Sequence, residues 1–305
     1  MWVRVAVLAR LASGLSAPRS LASPLVADKP AVLTASFAGG APLPGLADAA
    51  VDVAAAPGGE RRAPKAWRPA APVLTLPGDT LETRPPHVAL LAGCTVVAAA
   101  GAARAASRLG APTAVAAVAA GVGLADLFSG VFHWATDNYG GIDTPIFGQA
   151  CAAFQGHHLA PWTITYRSTS NNVHKIAKAA TPAIAAAAML APPALGLSLV
   201  VMFYGQVLAQ EFHKWSHFPP SEQPPLMRRL QRWGLALSTA EHGRHHTQPY
   251  HAHYCIFNGM LNQALDKSNF WRRLEACVFR FNGAEPNCWL DGEKGANVRR
   301  LALSL

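Results

Sequence analysis

Charge is what this sequence has least of. Asp, Glu, Lys and Arg make up 14% of its 305 residues, against 51% hydrophobic residues. That scarcity, with 25 glycines and 24 prolines, fits a membrane protein carrying an irregular extension. Acidic residues are rarest at the start: Asp28, Asp48 and Asp52 are the only ones before Glu60. An acid-poor stretch with Ser and scattered Arg reads as an organelle transit peptide over residues 1–60. A secretory signal fits less well, because Arg10 interrupts the apolar stretch from Val5 to Leu8. The five cysteines (Cys94, Cys151, Cys255, Cys277, Cys288) include no C-x-x-C pair, which excludes a disulfide scaffold and an iron–sulfur site of standard spacing. Pro57-Gly58-Gly59 lacks the preceding His of a fused haem module, so any electrons must come from another molecule. The formal charge of +9 suits anionic lipid headgroups or an acidic partner. Nucleic acid is not indicated, since no Lys/Arg cluster is interleaved with aromatics.

Residues 61–86 are rich in Pro and Arg and read as a linker. A folded domain is expected over 87–290, with 291–305 as a C-terminal tail. Two apolar runs open the domain: Val88 to Ala106, broken only by Arg104, and Ala111 to Phe132, carrying only Asp126. Twenty-two helical residues rise about 33 Å, enough to cross a hydrocarbon core of about 30 Å. A third region, Ile176 to Gln210, contains Pro182, Pro192 and Pro193 and is expected to split into two helices near Pro192-Pro193. The expected fold is therefore all-α, with about four transmembrane helices and a disordered N-terminal extension. The alternative is a soluble Ala-rich bundle, because Ala and Gly make these runs only mildly hydrophobic. Further on, Leu226, Leu230, Trp233 and Leu237 recur at helical spacing opposite Arg228, Arg229 and Arg232. Phe270, Leu274, Val278 and Phe281 form another helical stripe, with Ser268 as a candidate N-cap. Trp134, Trp162 and Trp215 fit membrane-interface aromatics.

Histidine carries the chemistry. In Glu241-His-Gly-Arg-His-His-Thr247, His242, His245 and His246 stand at i, i+3 and i+4, one face of a helix. At 12 histidines in 305 residues, chance gives this pattern about 0.02 times per chain. His213 and His217 form an i, i+4 pair, as do His133 and Asp137 if the second span continues past the bilayer. His157 and His158 are adjacent and able to serve different metals. His174 stands near Asn171 and Asn172, which offer a further ligand or hold a bound water. With four spans placed, all nine histidines fall on one side of the membrane. Most basic loop residues share that side: Arg167, Lys175, Lys178, Lys214, Arg228, Arg229, Arg232 and Arg244, against Arg104 and Arg108 opposite. The positive-inside rule then turns the site to the cytosol-equivalent compartment, the stroma in a plastid. A lone His is more often a hydrogen-bonded or surface residue, the reading given to His87 and favoured for His251 and His253. Nine together exceed what one metal needs and argue for two. Asp126, inside a span and seven residues before His133, reads either as a group orienting a ligand or as a helix-packing contact.

So many nitrogen ligands with few carboxylates fit iron used for oxygen activation. Zinc hydrolases use three protein ligands and a water. Metal transport would want ligands at mid-depth along the spans, where Asp126 stands alone. Desaturation and hydroxylation of a lipid chain are not separated by spacing.

Several segments resemble the plant chloroplast fatty acid desaturase 4 family. They are Leu124-Ala-Asp-Leu, Gly130-Val-Phe-His-Trp-Ala-Thr-Asp-Asn-Tyr-Gly140, Phe154-Gln-Gly-His-His, Pro161-Trp-Thr-Ile-Thr165, Asn171-Asn-Val-His174, Phe212-His-Lys-Trp-Ser-His217, His242-Gly-Arg-His-His246, and Tyr254-Cys-Ile256 with Asn262 and Leu265-Asp266. Plasmanylethanolamine desaturases resemble it more distantly. The resemblance implies a chloroplast membrane enzyme that uses molecular oxygen and two iron ions. It would introduce a trans double bond at the third carbon of palmitate on phosphatidylglycerol, with electrons from a ferredoxin-type donor. It further implies His133, His157, His158, His174, His213, His217, His242, His245 and His246 as iron ligands, and Asp137 as ligand or orienting group. Asp126 and Asn172 stay candidates for supporting roles. A lipid hydroxylase or plasmanyl-lipid desaturase on the same scaffold is the alternative.

Overall fold

The apolar runs become long helices whose ends meet at one level of the molecule. A computed structural model describes residues 75–305, and the regular structure among them is entirely helical. The expected transit peptide over 1–60 and most of the 61–86 linker lie outside the described residues. The helices are α1 (Pro85–Ala106), α2 (Ala111–Asn138), α3 (Gly148–His157), α4 (Thr169–Leu190), α5 (Pro193–Ser216), α6 (Pro225–Arg232), α7 (Thr239–His245), α8 (Asn262–Lys267), α9 (Phe270–Asn282) and α10 (Gly292–Ser304). Their boundaries follow local chemistry. Proline stands in the first turn of α1, α2 and α5, where its missing N–H costs nothing. The Ser168 and Ser238 hydroxyls accept from the N–H groups of Asn171 and Glu241, capping α4 and α7. The split between α4 and α5 falls at the Pro192-Pro193 turn, as the sequence predicts.

Of the four expected membrane helices, three (α1, α2 and α5) are long and apolar enough to cross a bilayer. The exception, α4, is also 22 residues long, but Asn171, Asn172, His174, Lys175 and Lys178 make its first turns polar. It joins the bundle through its other face, where Val173, Ala177 and Ile184 are fully buried against Cys94 and Ala98 of α1 and Val200 and Val207 of α5. The α2–α5 contact depends on small residues: a Cβ on Gly121 would lie 2.6 Å from the Ser198 carbonyl oxygen and 2.7 Å from Val201 Cβ.

Three local expectations change. The basic amphipathic stretch stops at Arg232, because Gly234 takes a left-handed turn (φ +66°). Trp233 is therefore left exposed while Leu237 is buried. The helix carrying Phe270 has Asn269, itself left-handed, at its N-cap position rather than Ser268. Trp134 is 6% exposed and packs on Trp271 and Tyr139, so it belongs to the core rather than to an interface belt. The expected 291–305 tail is mostly α10, whose Val298 and Ala302 pack with Cys288 and Trp289.

The irregular segment between α7 and α8 is pinned to α2. Asp126 Oδ1 accepts the N–H groups of Asn258 and Gly259 at 3.0 and 2.9 Å, and Oδ2 accepts that of Leu261 at 3.0 Å. One turn on, Ser129 Oγ accepts from Ile256 and Phe257. Two outcomes follow. Gly121→Leu, by forcing α2 off α5, should destabilise the purified protein by about 1–3 kcal/mol, read as a lower thermal midpoint. Asp126→Ala strands three backbone donors at about 1–3 kcal/mol each, and should open residues 252–262 to limited proteolysis before the long helices are cut.

Candidate metal centre

The ligand side chains come from the ends of four helices. His133 and Asp137 occupy the last turns of α2, and His213 the last turn of α5, with His217 just beyond it. His157 ends α3 and His158 follows it, while α7 and its C-cap supply His242, His245 and His246. They form two groups. His157, His213, His217, His242 and His246 make one; His133, Asp137, His158 and His245 make the other; within each, the ligand atoms lie within 4.8 Å of one another. The groups adjoin, with the His242 and His245 rings stacked at 5.6 Å. Adjacent His157 and His158 serve different groups, as the sequence reading allows. The three α7 histidines do not share one spot: His242 and His246, one turn apart, face the first group and His245 the second.

The chemistry of the donors tests whether a cation fits. A carbonyl can only accept, so His133 Nδ1–H donates to Tyr254 O at 3.0 Å and His245 Nδ1–H to Ala252 O at 2.9 Å. In a neutral ring the Nε2 atom then carries a bare lone pair. Both Nε2 atoms face another acceptor, Asp137 Oδ2, at 3.2 Å for His133 and 3.4 Å for His245, with His158 Nε2 at 3.5 Å. Acceptor against acceptor in a buried site is repulsive unless a proton or a metal cation lies between them, and both fit here. In the first group Nε2 meets Nε2 repeatedly: His157 with His217 at 2.8 Å and with His213 at 3.1 Å, His242 with His217 at 2.9 Å and with His246 at 3.0 Å. Five nitrogens converging in this way fit a shared metal ion.

Protonation agrees. Burial, reinforced by neighbouring imidazoles, holds His157, His217, His242 and His246 well below the usual imidazole range. Burial also lowers His245, and pushes His158 down to about 3 although the Asp137 carboxylate opposes it. These rings are neutral at ordinary pH, the form a metal needs. The Phe154 ring lies 4.9 Å from that of His133 and stacks on His213, adding an apolar wall.

The remaining candidates lie elsewhere. His174 is in neither group; its ring stacks on His87 at 3.9 Å and its Nδ1–H donates to Asn171 O at 2.8 Å. Asn172 donates to Gln210 O and Glu211 Oε2, tying α4 to α5. Asp126 touches loop backbone, as described above. His253 pairs with Glu241 at 2.7 Å and with Asp266 at 3.3 Å. Sequence reasoning did not find the carbonyls of Ala252 and Tyr254; backbone groups leave no signature in side-chain identity.

Comparison with known proteins agrees with this geometry. The lipid desaturase domain profile matches residues 122–289, a span holding every residue of both groups. The chain is 44% identical over 171 residues to fatty acid desaturase 4-like 1, chloroplastic, of Arabidopsis thaliana, covering 56% of this chain and 58% of that protein. It is 42% identical to fatty acid desaturase 4, chloroplastic, of the same plant, covering 56% of this chain and 53% of that one. With plasmanylethanolamine desaturase 1 of Mus musculus it shares 30% over 188 residues, 57% of this chain and 68% of the relative. The matched segment thus spans little more than half the length of the two plant relatives. No solved structure matches. The chain belongs to the lipid desaturase domain family, alongside the chloroplast fatty acid desaturase 4 proteins.

Proposed function

We propose that this chain is a membrane acyl-lipid desaturase whose two ligand groups each hold one iron ion. The observation that carries the reading is the Asp137 carboxylate faced by the lone pairs of His133 and His245, beside five convergent imidazoles. The proposed ligands are the eight clustered histidines and Asp137; His174, outside both groups, is not among them. When bound, such an iron pair supplies, with molecular oxygen, the oxidising power to take two hydrogens from adjacent unactivated carbons. Reducing one dioxygen to two waters takes four electrons, two from the lipid and two from a reductant. An external one-electron donor of the ferredoxin type is therefore part of the proposal.

The chain's own residues have three tasks. The buried imidazoles stay neutral and offer lone pairs. The carbonyls of Ala252 and Tyr254 fix which nitrogen of His245 and His133 carries the proton. Phe154 keeps water from one side. The proposed substrate is palmitate on phosphatidylglycerol, with a trans double bond formed at its third carbon. The motif resemblance supports that substrate, while the names of the plant relatives support a fatty acid desaturase of the chloroplast. The excess of Lys and Arg in the loops beside the ligands supports a stromal site.

Purified wild-type protein should hold two irons per chain by elemental analysis. His242→Ala and His245→Ala should each lose iron and all product while remaining in the membrane fraction, whereas His174→Ala should keep both irons. Full product from His245→Ala, or active protein free of iron, would remove the metal pair from the reaction. Lipid mass spectrometry after expression with phosphatidylglycerol and ferredoxin should show a loss of two hydrogens from one acyl chain. A gain of one oxygen would instead make the enzyme a hydroxylase.

A further inference from the structure

A groove of about 520 Å³ runs between α1 and α4, and none of its lining residues belongs to either histidine group. Leu90, Gly93 and Val97 of α1 face Pro182 of α4, and its walls are almost wholly apolar. The gap exists partly because position 93 has no side chain: a Cβ there would meet nothing within 4 Å. From Pro86 to Val97 the helix rises about 16 Å, close to half of a hydrocarbon core of about 30 Å. The groove thus has the length of one leaflet.

Its chemistry is uneven in one respect. The lining includes a single cation, Lys178, near the polar start of α4 and exposed. Lys175, one turn earlier, pairs with Asp79 at 3.4 Å, but Lys178 pairs with no carboxylate among the described residues. An apolar trough along a candidate membrane span, with one exposed ammonium in its α4 wall that no carboxylate among the described residues pairs, matches an acyl chain beside an anionic phosphate.

We propose that the α1–α4 groove is a docking site for one anionic phospholipid of the bilayer. One acyl chain lies along α1 from Pro86 to Val97, and the phosphate sits at Lys178 Nζ. The site is separate from the metal groups and does not rest on the desaturase reading.

The test uses the full chain, purified with its metal in mild detergent. It is offered equal amounts of phosphatidylglycerol and phosphatidylcholine with identical acyl chains, and retained lipid is counted by native mass spectrometry. The wild type should hold one phosphatidylglycerol in preference to phosphatidylcholine. Lys178→Gln should cut that preference about five-fold, and Lys178→Arg should keep it. Gly93→Leu, whose added Cβ meets no atom within 4 Å, should lose the Lys178-dependent lipid while helix and iron content stay unchanged. Equal retention of the two lipids by the wild type, an unchanged ratio in Lys178→Gln, or undiminished retention in a folded Gly93→Leu would each overturn the proposal. If Gly93→Leu does not fold, the Lys178→Gln and Lys178→Arg pair decides. Lipid preference without desaturation would sink the enzyme reading and leave the groove standing.

Discussion

Lone pairs directed at one another in a buried space are the constraint around which this protein is organised. His133, His213, His217, His242 and His245 are at most 2% exposed, and Asp137 only 5%. A buried acceptor left without a donor costs about 1–3 kcal/mol, so a cluster of them is a heavy load for a fold stable by only about 5–15 kcal/mol. The two metal ions proposed above would relieve it. They also explain why the ligands sit at helix ends, since four separate segments must converge while their apolar stretches stay in the bundle.

The same helix that brings His133 and Asp137 also holds the loop whose carbonyls meet His133 and His245. Asp126 and Ser129 of α2 accept five backbone N–H groups between Ile256 and Leu261. Asn262 adds bonds to both the N–H and the carbonyl of Cys255. With its far end pinned, the loop presents the carbonyls of Ala252 and Tyr254 to the histidine rings at a fixed place. Close packing continues beneath it: a Cβ on Gly130 would lie 2.6 Å from Cys255 Sγ, so this turn of α2 admits no side chain there. The Asp126 carboxylate thus touches the histidine groups only through loop backbone.

Charge is distributed with the same economy. Several basic residues that the sequence places beside the site are already paired: Arg167 with Asp79, Lys214 with Glu211, Arg244 with Glu241. What remains for outside partners is smaller than the raw count, with Lys178 at the groove and Arg229 and Arg232 on α6 as its main members.

Much of this was legible in the residues. Apolar runs of about 20 residues have few options besides long helices, and Pro192-Pro193 can only divide two of them. Spacings such as His133/Asp137 and His242/His246 lie on one helical face wherever that helix goes, so the existence of a histidine-rich metal site was determined locally. Its division was not. His245 parts from His242 and His246, and His158 from His157, because neighbouring positions on a short helix point in different directions and only the surrounding helices say which partner each meets. His174 carries the same imidazole in an equally suggestive motif, yet its place on α4 sends it to His87. Sequence thus determined the ligand types, their local pairing and the helices that carry them. Tertiary structure alone decided which ring joins which group and which carbonyl holds it, because those contacts depend on how separate segments converge, across 121 positions at His133 and Tyr254.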